Sequence, residues 1–168
     1  MIGIVCRVFW QIILFLKNIQ HYKSLKSLGK KKPKDSPRNM VNKFVDTNIF
    51  IEVFVRFGNK SDRCKALLKE AKNLQTSSFV FSEIEWVLRS AYELDKRVVV
   101  KCLKTVISSN IEIDNKMILV KAIEFYESHT VDWTDCLNIF LIKDDNVREI
   151  YSYDKGLSKF NWVKRLEP

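Results

Sequence analysis

Five stretches of this chain carry apolar residues at i, i+3, i+4 and i+7, with short β-prone runs lying between them. The sets are Cys64, Leu67, Leu68, Ala71; Ile84, Val87, Leu88, Ala91; Val99, Cys102, Leu103, Val106; Leu119, Ala122, Ile123, Tyr126; and Trp133, Cys136, Leu137, Phe140. That spacing puts each set on one face of an α-helix. A further apolar helix is expected from about Ile49 to Phe57, broken at Gly58-Asn59, with Ser61 or Asp62 capping the next. The candidate strands are Phe44-Val45, Leu74 to Ser77, Ile111 to Ile113, Ile150 to Ser152 and Trp162 to Lys164. Strands separated by helices require crossover connections. The expected fold is therefore α/β: a three-layer sandwich with a central, mainly parallel sheet flanked by helices. In such sheets ligands bind beyond the carboxyl ends of the strands.

Charge divides the 168 residues in two. Of 29 Lys and Arg, nine lie in residues 1–39, against one of the 20 acids, Asp35; the rest of the chain is close to neutral. Of the formal charge of +9, +8 thus belongs to a leader, which gives no sign of a nucleic-acid-binding core. Within the leader, Val8 to Leu16 is apolar except for Gln11, which is short of the ~18 residues that span a bilayer. Ser24 to Asn39 reads as a linker. Three readings stay open for residues 1–39: a stretch outside the native folded unit, a targeting or membrane-contacting segment through residues 8–16, or a basic arm for RNA or a partner. The first is preferred because Met40 directly precedes the first strand, making residues 40–168 the domain. Cys6, Cys64, Cys102 and Cys136 form no C-x-x-C pair and have only His21 and His129 to assist them, which argues against a zinc site or disulfide framework.

The polar residues that stand out are acids. Asp46 follows the first strand and Asp154 follows the run IYSY; Glu83 is expected to open the helix of Ile84 and Val87; Asp132 and Asp135 fall on the first turn of the Trp133 helix. Each has an ordinary explanation as a cap or turn residue. Taken together they raise a different problem, because carboxylates about 4 Å apart repel by roughly 4 kcal/mol per pair at an effective dielectric near 20. No Lys or Arg adjoins Asp46, Glu83 or Asp135 in sequence, whereas Mg²⁺ or Mn²⁺ would neutralise them and takes oxygen ligands. A carboxylate-bound cation acidifies water and stabilises phosphoryl oxyanions, which is nuclease chemistry.

The runs FVDTNIF, SEIEWVL, VDWTDCLNIFLIK and IYSYDKGLSKF occur in the order of the motifs of a PIN domain, and the chain from about residue 41 resembles the VapC-type ribonuclease toxins of toxin–antitoxin pairs. The resemblance implies that Asp46, Glu83, Asp135 and Asp154 are the catalytic metal ligands and that Asp132 is auxiliary. Glu85 would then lie at the surface. Thr47 and Asn48 would position Asp46 and its water, and Ser152 would stand where the family often has Thr. It also implies Mg²⁺- or Mn²⁺-dependent cleavage of RNA by an activated water, leaving a 5′-phosphate and a 3′-hydroxyl. A homodimer, an antitoxin covering the groove and a cytoplasmic location complete the expectation.

Arg56, Lys60, Arg63, Lys143, Lys155 and Lys159 are candidates for the RNA backbone, although most are expected on solvated helix faces. Trp86 and Trp133 are expected in the core or a dimer surface, and Phe50, Phe54 and Phe57 in the core or a dimer contact. Two rival functions remain. A catalytically silent PIN-like binding module would keep the fold without activity. A phosphoacceptor receiver would need paired acids after the first strand and a late Lys, an arrangement that SYDK does not supply.

Overall fold

The computed structural model describes residues 42–168, so the readings made for residues 1–39 lie outside the described residues. The described chain forms two compact units, residues 42–114 and 115–168.

In the first unit β1 (Lys43–Phe44), β2 (Leu74–Thr76) and β3 (Glu112–Ile113) make a parallel sheet in the order β1-β2-β3. Lys43 pairs with Leu74, and Gln75 with Glu112. The first crossover contains α1 (Thr47–Val55) and α2 (Asn59–Glu70). The second contains α3 (Ser78–Trp86), a π-helical turn over Val87–Ala91, and α4 (Lys96–Ile107). At the carboxyl edge the Val45 amide donates to the Gln75 carbonyl at 2.8 Å, and the buried Thr76 hydroxyl donates to the Val45 carbonyl at 2.9 Å. These two bonds fix the backbone immediately before Asp46.

Helix α1 is apolar on most of its circumference and buries Phe50, Ile51, Val53, Phe54 and Val55, as a central helix does. It starts at Thr47, two residues before the expected Ile49. Its one buried charge, Glu52, is met by Arg56 from the next turn at 3.0 Å and by Lys60 of α2 at 2.8 Å. Gly58, with φ 96°, turns the chain between these helices in a conformation that favours glycine. Ser61 is not the cap expected of it: buried inside α2, its hydroxyl donates to the Glu52 carbonyl at 2.8 Å. Both Arg56 and Lys60, candidates for RNA contact, are thus engaged by Glu52.

The four apolar positions of α4, Val99, Cys102, Leu103 and Val106, are all buried, as their spacing requires. The Ile84 set fits less completely. Ile84 and Leu88 are buried but Ala91 is exposed, because bonding from residue i to i+5 in the π turn advances the later residues around the axis.

In the second unit α5 (Lys116–Ser128) and α6 (Trp133–Asp144) pack together, and a second parallel sheet pairs β4 (Glu149–Tyr151) with β5 (Lys164–Leu166). A short 3₁₀ helix, Lys155–Lys159, connects these strands. Leu119, Ala122, Ile123, Tyr126, Trp133, Cys136 and Leu137 are buried as expected. The remaining contacts are aromatic: Phe125 stacks on Phe160 with ring centres 4.5 Å apart, and Tyr126 meets Trp133 edge-on at 5.7 Å. The α/β class with parallel strands stands, but the strands are distributed over two sheets. β4 takes β5 as its neighbour, and not a strand of the first sheet.

Candidate active site

Asp46 is the residue before α1, in an extended conformation with φ −84° and ψ 160°. Its side chain caps nothing. It accepts a hydrogen bond of 2.7 Å from the Asn48 amide and is otherwise exposed. An N-cap bond contributes about 1 kcal/mol, and Asp46 forgoes it for the bond from Asn48. The next residue, Thr47, is buried, and its hydroxyl donates to a carboxylate oxygen of Glu83 in α3. Asn48 supports Asp46 as the sequence suggested. Thr47 supports Glu83 instead. One dipeptide thereby orients two acids that lie 37 residues apart in the chain.

Glu83 does not open its helix. The helix begins at Ser78, five residues earlier, and Glu83 lies exposed in its middle. What sequence reasoning missed is the remote cap. Asp114, directly after β3, accepts a hydrogen bond from the Ser78 amide and satisfies the start of α3 from 36 residues away. The signal was an acid following the run IEI; the partner was not local.

The second unit gathers the other acids. Asp132 precedes α6 without forming a cap bond, Asp135 lies on its first turn, and Asp154 follows β4. The Asp135 carboxyl is raised above the usual carboxylate range, first by burial, then by Asp154, which hydrogen-bonds to it and repels its charge, and then by Asp132. Asp154 is positioned by its own loop. One carboxylate oxygen accepts from the Gly156 amide at 2.7 Å, and its amide donates to the Ser152 hydroxyl at 3.0 Å. Arg165 from β5 holds the Ser152 carbonyl at 2.8 Å. A side chain at residue 156 would bring a Cβ to 3.0 Å from the Asp154 carboxylate.

Among the described residues, none of Asp46, Glu83, Asp132, Asp135 and Asp154 forms an ion pair with a Lys or Arg. The donor chemistry is all oxygen, with no thiol or imidazole, and suits a hard divalent cation. Among the described residues no three carboxylate, imidazole or thiol groups are drawn together closely enough to hold a metal ion. The first unit holds Asp46 and Glu83, each supported by its own neighbour, and the second holds one repelling cluster.

The family model for the PIN domain matches residues 43–163, which include all five acids. The chain belongs to the PIN domain family. PIN domains are a superfamily of nucleases, many of them in toxin–antitoxin systems, and they generally use divalent metals. Membership removes the receiver reading and agrees with the α/β fold. No match is found among curated proteins or among solved structures.

The remaining expectations resolve singly. Among the described residues of this PIN domain no helix is long and apolar enough to cross a membrane. Trp133 is buried, whereas Trp86 is 64% exposed and is not a core residue; Phe50 and Phe54 are buried and Phe57 is exposed. Glu85 is half-buried. Lys159 is tied to Thr130, its ammonium 2.6 Å from the carbonyl, and the Lys143 ammonium lies 3.9 Å from the centre of the Trp162 ring. Cys64, Cys102 and Cys136 are buried free thiols, and burial pushes Cys102 far above the ordinary thiol range, where it stays protonated and inert.

Proposed function

We propose that this PIN domain is a Mg²⁺- or Mn²⁺-dependent endoribonuclease of the VapC type, the toxin of a type II toxin–antitoxin pair. The observation that carries the reading is the set of acids without counter-ions, of which Asp46, Glu83 and Asp154 are each held by a neighbour that contributes no positive charge. By the family resemblance, Asp46 and Glu83 in one unit, and Asp135 and Asp154 with Asp132 auxiliary in the other, are the carboxylates that would serve as cation ligands. When bound, the cation supplies an acidified water and neutralises charge on the phosphoryl oxygens.

The chain's own contribution is orientation. Asn48 occupies one oxygen of Asp46 and leaves the other outward, Thr47 fixes one oxygen of Glu83, and the Gly156 amide and Ser152 hydroxyl set Asp154. Asp135 meets Asp154 as a protonated or cation-bridged partner, since two bare carboxylates in contact are unfavourable. A homodimer, and an antitoxin that covers the site, belong to the same proposal.

The test is cleavage of RNA by the purified full-length chain with Mg²⁺ or Mn²⁺, with EDTA, and by Asp46→Asn. Cleavage is expected only with metal and is expected to fall by about 100-fold or more in the variant. Equal activity with EDTA or in Asp46→Asn removes the mechanism and favours the catalytically silent binding module. Expression in a bacterial host, with and without any small protein encoded beside this gene, tests the toxin assignment through growth arrest and its relief.

A further inference from the structure

Helix α3 has two faces. One buries Val80, Phe81 and Ile84; the other presents Phe79, 73% exposed, Glu83, and Trp86, 64% exposed, at i, i+4 and i+7. Two large aromatic rings left in water on one stripe, with an acid of the proposed site between them, need an occupant. The α-helical rise sets Phe79 and Trp86 about 10.5 Å apart along the axis. A short unpaired segment of about three nucleotides, at about 3.4 Å each, spans that length.

A lipid surface, or a protein face that brings no cationic side chain, would cover the stripe less well. Either would bury the Glu83 carboxylate, which has the Thr47 hydroxyl for a partner and no described Lys or Arg in an ion pair. A nucleic acid strand accompanied by cations leaves that carboxylate solvated and still covers both rings. The other unit repeats the association independently: Tyr151 at the end of β4 and Tyr153 in the bend after it are 70% and 72% exposed, and Asp154 follows at once. Aromatic faces beside a backbone-contacting site are how unpaired strands are held without sequence readout.

We infer that Phe79 and Trp86 are base-stacking residues that hold an unpaired RNA segment across Glu83, and that Tyr151 and Tyr153 do the same beside Asp154. The inference rests on the nuclease reading for its substrate class. It is tested by binding in the full-length Asp46→Asn background with Mg²⁺, using a fluorescent unpaired oligoribonucleotide and a fully paired duplex of the same sequence. Trp86→Ala is expected to weaken the unpaired RNA about tenfold and Phe79→Ala by a similar factor, with Trp86→Phe restoring most of the loss. The duplex is expected to bind alike in every variant, and the dependence of log Kd on log salt is expected to keep its slope, because no charge is removed.

Unchanged affinity for unpaired RNA in Trp86→Ala, or no RNA binding by the parent, overturns the inference. A change of oligomeric state in Trp86→Ala with unaltered RNA affinity overturns it also, in favour of a second copy on this face. Cleavage is scored separately. Metal-dependent cleavage with Trp86→Ala affinity intact keeps the nuclease and discards the stacking residues. Stacking losses without cleavage in any form do the reverse.

Discussion

Thr47 is a buried hydroxyl whose hydrogen goes to the Glu83 carboxylate, so it acts on the site through another residue. Removing the hydroxyl while keeping the shape frees the glutamate to rotate. Thr47→Val is expected to lower kcat about tenfold, the usual cost of losing a residue that orients a metal ligand, while KM for RNA stays nearly constant. Thr47→Ser retains the donor and is expected to stay within about twofold of the parent by the same reasoning. A melting curve separates this positioning role from a structural one. If Thr47→Val loses kcat only in proportion to folded protein, the bond has no part in activity. The sequence displays Asp46, Thr47 and Asn48 together, and the family resemblance assigned Thr47 to Asp46, whereas its hydroxyl bonds Glu83. The amide of Asn48 reaches Asp46, and the hydroxyl reaches a helix 36 residues away, which no local pattern encodes.

At the scale of elements, periodicity carried the helices. Four of the five apolar stripes lie within helical turns and α4 and α5 bury every position their spacing nominated, whereas the Cys64 set runs one residue past its helix to Ala71 and leaves Leu67 exposed. The failures are at ends and joints. Helix α3 begins five residues before Glu83 because Asp114 supplies a cap from the next strand, and its far end slips into a π turn that no spacing rule announces. Strand pairing was equally out of reach: β4 is short and extended whichever neighbour it takes. The joint between α1 and α2 is different, because its chemistry gives a measurable sign. Lys60, the stronger influence, and Arg56 hold the Glu52 carboxyl below the usual carboxylate range against the opposing effect of burial. A carboxyl whose pKa is lower folded than unfolded stabilises the fold above its unfolded value of about 4.3, and loses that contribution as pH falls through the folded one. Glu52→Gln is therefore expected to melt below the parent at pH 7, and the gap is expected to close as pH falls below about 4. A gap that is constant with pH would mean that Glu52 stabilises by shape alone.

For the molecule as a whole, activity and stability make opposite demands on the same acids. Asp135 is partly buried, hydrogen-bonded to Asp154 and repelled by it and by Asp132, and among the described residues no cation pairs with any of the three. Such a cluster lowers the stability of the metal-free protein, because like charges in contact favour any state that separates them. A residue kept solely for the fold would not be an acid here; one kept for a cation would. Asp135→Asn keeps the shape and removes one charge. In EDTA it is expected to raise Tm by roughly 2–4 °C, the response of a chain of this size to a small gain in stability. Adding Mn²⁺ reverses the order. The parent gains stability by mass action, equivalent to about 2.7 kcal/mol at a free concentration 100 times the dissociation constant, while the variant, short of a ligand, gains little. Thermal melts of both proteins across a Mn²⁺ titration make the comparison, and curves that stay parallel throughout would show that Asp135 belongs to the fold and not to the metal.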